Sequence, residues 1–187
     1  MASVDVNDPS QTEPVPETCV STPEPAPRGP WYRGARGEWY VVAQVFLFAL
    51  IVFGPANLPG WSAWTSPWAE IATWLGLALM LVGGALAVGG LLRLGSNLTP
   101  LPYPRDCSNL VESGPYAIVR HPIYSGLIIG AMGLALRAHG WLTIVYALAL
   151  FAFFDIKSRR EEVWLVQKFP EYAEYRTRVR KLIPWVY

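Results

Sequence analysis

The chain reads as an all-α integral membrane protein of about four transmembrane helices, with a short helical hairpin at 123–156 and a cytoplasmic C-terminal helical segment. Three observations predict this class. Hydrophobic residues make up 52% of the 187 and charged residues only 16%, well below the roughly 25% charge of a soluble domain. The apolar residues fall into four separate runs, and Lys and Arg alternate between the loops that join them. Nine Trp and nine Tyr in so short a chain suit the membrane–water interface positions that such a fold creates.

Residues 1–30 are rich in Pro, Glu, Thr and Ser and carry five acids against one Arg. They lack an apolar period and are expected to form a disordered leader. No apolar core follows a basic start, so the leader does not read as a secretory signal. Residues 31–187 then form one membrane domain, as the length allows. The first apolar run covers 39–53 and stops at Gly54-Pro55. The second covers 71–92, long enough to cross ~30 Å of hydrocarbon. The third, 123–136, and fourth, 141–156, are short and separated only by Arg137, Ala138, His139 and Gly140, which predicts a tight hairpin. Tilt and interfacial aromatic residues absorb the shortfall in length.

The bases set the orientation. Arg28, Arg33 and Arg36 precede the first span, and the loop 54–70 has no Lys or Arg. The loop 93–122 has Arg93, Arg105 and Arg120, the hairpin turn only Arg137, and the tail 157–187 eight bases against four acids. The positive-inside bias then places both termini and the second loop in the cytoplasm. The basic tail has no nucleic-acid recognition motif beside it, so no nucleic-acid partner is expected; membrane lipids are. Cys19 and Cys107 form no metal or redox pattern, and no metal site is expected. Glycines at 76, 83, 84, 89 and 90 in the second span, and at 126, 130 and 133 in the third, read as helix-packing positions. No dinucleotide or P-loop glycine motif is present.

Two polar clusters carry chemistry. In the first, L-V-E-S-G-P-Y-A-I-V-R-H-P-I-Y-S-G (110–126), Gly114-Pro115 marks a turn. Pro122 disfavours helix at His121 and suits a first helical position. His121 should therefore sit just before a helix start, where free N–H groups favour anions, with Tyr124 and Gly126 close behind. The second cluster is Glu161-Glu162-Val163-Trp164-Leu165, one to two turns beyond the fourth run. Adjacent acids on a helix point about 100° apart, so the two have separate jobs. The competing reading is a solvated charged turn paired with Arg159 and Arg160. Topology puts both clusters on one side, where the 123–156 hairpin can bring them together.

The run G-P-Y-A-I-V-R-H-P-I-Y-S-G, followed by E-E-V-W-L and F-P-E-Y-A-E-Y, resembles the isoprenylcysteine carboxyl methyltransferase and phospholipid methyltransferase superfamily. N-L-T-P-L-P at 97–102 and Leu110-Val111 are similar to its bacterial members, and the likeness covers roughly 93–187. The resemblance implies S-adenosylmethionine as cofactor. It implies that Tyr116, His121, Pro122, Tyr124, Gly126, Glu161 and Glu162 bind it, and that Arg120 and Glu162 act in catalysis. Arg120 would hold either the methionyl carboxylate or an acceptor carboxylate. The acceptor would be a lipophilic small molecule or a lipidated substrate, with O-methylation favoured over N-methylation, in a bacterial inner membrane. Two alternatives from the same motifs are a phospholipid amine N-methyltransferase and a nicotinamide-dependent membrane reductase. The reductases carry Asn before the motif Tyr and an acid after its Gly. Here those positions are Ile123 and Leu127, which favours methyl transfer. A third alternative is a membrane scaffold whose polar clusters are only topological anchors.

Overall fold

The computed structural model describes residues 38–61, 64–98, 109–184 and 186–187. The leader 1–30, Arg28, Arg33, Arg36, Arg105, both cysteines, Trp185 and residues 99–102 of the N-L-T-P-L-P stretch lie outside the described residues. Five α-helices follow one another: α1 (Glu38–Phe53), α2 (Trp68–Leu94), α3 (Pro122–Arg137), α4 (Trp141–Lys168) and α5 (Tyr172–Arg178). Short 3-10 turns occupy Gly95–Asn97 and Gly114–Ala117. Among the described residues there is no strand, only one isolated parallel bridge between Val119 and Arg180.

Each long helix starts or stops where the sequence dictates. α2 ends at Gly95, whose φ of +50° suits a residue without Cβ. α3 begins with Pro122 at its first position, which its fixed φ suits, and His121 before it has non-helical backbone angles. α4 runs unbroken for 28 residues, from Trp141 to Lys168, and stops before Pro170. The apolar run at 141–156 thus marks only the first part of this helix, and Glu161 and Glu162 stand on its continuation. α2 and α4 are long and apolar enough to cross a membrane. The α1 and α3 helices, 16 residues each, are ~24 Å long at 1.5 Å per residue.

The packing is antiparallel throughout. α2 and α3 are joined by small residues at seven-residue spacing. A Cβ on Gly76 would lie 2.5 Å from the Gly133 carbonyl oxygen, and one on Gly83 would lie 2.5 Å from that of Gly126. Gly90 meets the Pro122 ring. Gly84, by contrast, faces open space and takes no part. In α1 and α4, Tyr40 packs on Phe153 and Phe48 on Phe154. The core between helices holds Ile51, Ala131, Ala135, Ala147, Leu150 and Phe154. Outside it the helices expose large apolar side chains, among them Phe46, Phe53, Trp74, Leu81, Leu92 and Leu148. Apolar exposure spread over several helices exceeds what a water-soluble surface carries. It is the surface of an all-helical membrane protein.

Gly126 sits at the closest α2–α3 approach, where an added Cβ would lie 2.6 Å from the Ala87 backbone nitrogen. Gly126→Val is expected to cost about 1–3 kcal/mol through overpacking, read as a lower melting midpoint in detergent. An unchanged midpoint would contradict this packing.

Candidate active site

At the end of the bundle where α3 begins and α4 ends, the two polar clusters meet. His121 caps the start of α3, and its ring Nε2 lies 3.1 Å from Glu162 Oε1. Arg120 Nε donates to the same oxygen at 2.9 Å. Arg176 Nε, from α5, approaches Glu162 Oε2 at 3.6 Å. Glu162 is thus a buried hub with Arg120, His121 and Arg176 around it. Glu161 faces another way, as adjacent helical residues must. Its Oε2 accepts the Tyr124 hydroxyl at 2.9 Å and lies 3.9 Å from His121 Nδ1.

The rings between these charges form a stack. His121 lies parallel on Tyr124 with centroids 5.5 Å apart, and Tyr124 lies on Phe154 at 4.6 Å. The Lys157 ammonium sits 5.2 Å from the Tyr124 ring centre and donates to Gln44 Oε1 at 2.7 Å. Cations over aromatic faces are attracted by the ring quadrupole. Basic and acidic side chains thus alternate from Lys157 through Glu161, His121 and Glu162 to Arg120.

These residues wall a cavity of about 280 Å³, near the lower end of the roughly 300–1,000 Å³ typical of ligand pockets. Arg120, His121, Tyr124, Lys157 and Glu161 supply its polar side. Leu94, Leu98, Leu110, Ile123 and Leu127 supply an apolar side, and Tyr116, Phe169, Tyr172 and Tyr175 an aromatic one. The Tyr175 hydroxyl donates to the Tyr116 carbonyl at 2.6 Å, tying α5 to the turn before α3. Burial first, then nearby acids, pushes the hydroxyls of Tyr116, Tyr172 and Tyr175 well above the ordinary phenol range. All three remain protonated donors. The Tyr172 oxygen is buried with no hydrogen-bond partner among the described residues.

Of the residues singled out from sequence, Arg120, His121, Tyr116, Tyr124 and Glu161 come together on the cavity wall. Glu162 stands directly behind them. Pro122 and Gly126 do not reach the wall, because both are turned to α2 at Gly90, Gly83 and Ala87. The reading of Glu161 and Glu162 as a solvated turn paired with Arg159 and Arg160 does not hold. Arg159 pairs with Asp155 at 2.8 Å, and Arg160 lies over the Trp164 ring. Tyr172 and Tyr175, the two tyrosines of the F-P-E-Y-A-E-Y run, are buried and line the cavity. Arg176, one of the eight bases of the tail, reaches Glu162. Lys157 and Gln44 were not foreseen. The available signal was the i, i+4, i+8 spacing of Lys157, Glu161 and Leu165 on one face of α4. Nothing local pointed to Gln44, which arrives from α1.

His139 lies at the other end of α3, in the hairpin turn, with φ of +49°. Its Nε2 is 2.8 Å from the Ala69 carbonyl and 3.0 Å from Thr73 Oγ1, and it pins the turn to α2. Among the described residues no group of three or more His, Cys, Asp or Glu side chains is placed to hold a metal ion.

Residues 71–172, more than half of the chain, match the sequence model of the phospholipid methyltransferase family, and the chain belongs to that family. Among its relatives, the cobalt-zinc-cadmium resistance protein CzcN of Cupriavidus metallidurans is 33% identical over 149 residues, covering 79% of this chain and 62% of the relative. The protein-S-isoprenylcysteine O-methyltransferase B of Arabidopsis thaliana is 32% identical over 150 residues, covering 78% of this chain and 72% of the relative. The solved structure of a eukaryotic intramembrane Ras methyltransferase, ICMT, superposes with a TM-score of 0.57 at 27% identity, over 82% of this chain and 56% of that one. The chain spans about three fifths of CzcN and somewhat more than half of the solved ICMT.

Proposed function

We propose that the chain is an S-adenosylmethionine-dependent membrane methyltransferase that acts on a lipophilic acceptor. The observation that carries the reading is the meeting of Arg120, His121, Tyr124 and Glu161 on one cavity wall, with Glu162 behind them holding Arg120 and His121. The donor set suits the cofactor. The Glu161 carboxylate fits an ammonium or ribose hydroxyls, and the aromatic side of Tyr116, Phe169 and Tyr175 fits a purine. The Tyr172 hydroxyl, without a hydrogen-bond partner among the described residues, has a donor to give. When bound, S-adenosylmethionine supplies an activated methyl group on a sulfonium.

The residues of the chain then have mainly to position and to exclude water, which is where most of such a rate enhancement arises. Arg120 offers positive charge at the wall for a carboxylate. His121, held by Glu162, and Glu161 stand where a proton would be taken from a neutral or protonated acceptor. A carboxylate acceptor arrives charged and needs no such base, which favours O-methylation. The apolar side formed by Leu94, Leu98, Leu110, Ile123 and Leu127 suits the hydrocarbon part of the acceptor. The acceptor class extends from a lipophilic small molecule to a lipidated substrate of the isoprenylcysteine type, the substrate named for the Arabidopsis relative.

The same reading gives the domain the range 31–187 and four membrane crossings in a bacterial inner membrane. Both termini and the cavity then face the cytoplasm, where the basic loops lie. The family assignment favours methyl transfer over the reductase alternative. Purified protein in detergent is therefore expected to gain thermal stability with S-adenosylmethionine or S-adenosylhomocysteine and not with NADPH. Stabilisation by NADPH alone would reverse this assignment. Lipid-linked acceptors are expected to outperform their water-soluble head groups; the opposite preference would contradict access from the bilayer.

A further inference from the structure

The residues after α5 run back beside the start of α3, and four consecutive carbonyls meet four donors in register. Val179 O accepts from the Arg120 guanidinium. Arg180 O accepts the Arg120 N–H at 2.8 Å, and Lys181 O accepts the His121 N–H at 3.2 Å. Leu182 O accepts the Ser125 hydroxyl at 2.6 Å. This strap thus holds the main chain of both motif residues and the guanidinium of one. A slip of one residue would lose the whole set.

Lys181 ties the strap to α4. Its ammonium pairs with the Asp155 carboxylate and lies 3.2 Å from the Asp155 main-chain carbonyl. The Lys181 side chain is only 9% exposed and that of Asp155 15%. Asp155 also accepts the Tyr187 hydroxyl at 2.9 Å and Arg159 Nε at 2.8 Å. A buried ion pair is a weak source of net stability, because desolvation offsets the attraction. What it supplies is a fixed geometry. Neither Asp155 nor Lys181 lines the cavity, so any influence on a ligand must pass through the strap.

We propose that Asp155 is a positioning residue: through Lys181 it sets the register of the strap 179–182, and so the placement of Arg120 and His121 in the cavity wall. The proposal rests on the reading of that wall as a cofactor site. It deepens that reading by adding a pair outside the motifs.

The test compares wild type, Asp155→Asn, Lys181→Met, the double variant and Lys181→Arg in detergent. Binding of S-adenosylhomocysteine is measured by calorimetry well below each melting midpoint, with melting of the ligand-free protein alongside. Each single loss is expected to weaken binding roughly tenfold, the scale of a small misplacement at a site. The double variant should be no weaker than the worse single, since both act through one contact. Lys181→Arg should bind nearly as wild type. Variants that melt lower yet bind as wild type would overturn the proposal and leave Asp155 a structural residue; so would losses that multiply in the double variant. Should Asp155→Asn not fold, Lys181→Met against Lys181→Arg makes the same comparison. A wild type that fails to bind would sink the cofactor-site reading itself, whereas wild-type binding with unaffected variants sinks only the role of Asp155.

Discussion

Glu162→Ala is expected to remove activity and to destabilise the fold by about 3–5 kcal/mol, the cost of leaving a buried charge without its partner. The carboxylate accepts Arg120 Nε at 2.9 Å, faces His121 Nε2 at 3.1 Å and draws Arg176 from α5. Its side chain is 7% exposed and that of Arg120 10%, so water cannot replace the lost pairing. Glu162→Gln separates the two effects. It keeps the size and one accepting oxygen, so part of the stability should return. It removes the charge that orients His121 and Arg120, so methyl transfer should stay far below wild type. Melting in detergent and labelled-methyl transfer on the same preparations provide the check. A Glu162→Ala protein that melts and turns over like wild type would contradict the role of the hub.

Glu161→Gln should behave differently. Glu161 lines the cavity itself and accepts the Tyr124 hydroxyl, which a glutamine oxygen can still do. The fold is therefore expected to survive. On the proposed reading, the lost interaction would be a charge-assisted hydrogen bond to the cofactor, about 1.5–3 kcal/mol, or roughly 10- to 150-fold in affinity at 1.4 kcal/mol per decade. Calorimetry with S-adenosylhomocysteine reads this directly. Equal affinity in Glu161→Gln and wild type would move the cofactor's cationic end away from this carboxylate.

The helices were largely legible because apolar runs and punctuation agree. Gly54-Pro55, Gly95, Pro122 and Pro170 stop or start helices by local backbone chemistry, which a sequence carries openly. The α4 boundary was less legible, since hydropathy ends at 156 while helix propensity continues through Lys157, Arg159, Arg160 and the two glutamates. The meeting of the clusters followed from alternation of spans. Which motif residues face the cavity did not. Pro122 and Gly126 share the motif with His121 and Tyr124, but helical geometry turns them to α2, and only the partner helix reveals that. Gln44 lies far from the motifs in sequence, and the strap far from Arg120 and His121, which it holds. They join the site through long-range contacts that no local pattern encodes. The pairing of Asp155 with Lys181 is visible only once the chain after α5 has folded back.

The central claim is that this cavity brings S-adenosylmethionine to a lipophilic acceptor, and one measurement addresses it most directly. The purified full chain, reconstituted in vesicles, is given S-adenosylmethionine labelled on its methyl group and a panel of lipid-linked carboxylates and amines. The account predicts label in an organic-soluble product, with carboxylates preferred and with the signal lost in Glu162→Ala. Folded protein that binds S-adenosylmethionine no better than Glu161→Gln does, and leaves every acceptor unlabelled, would contradict it.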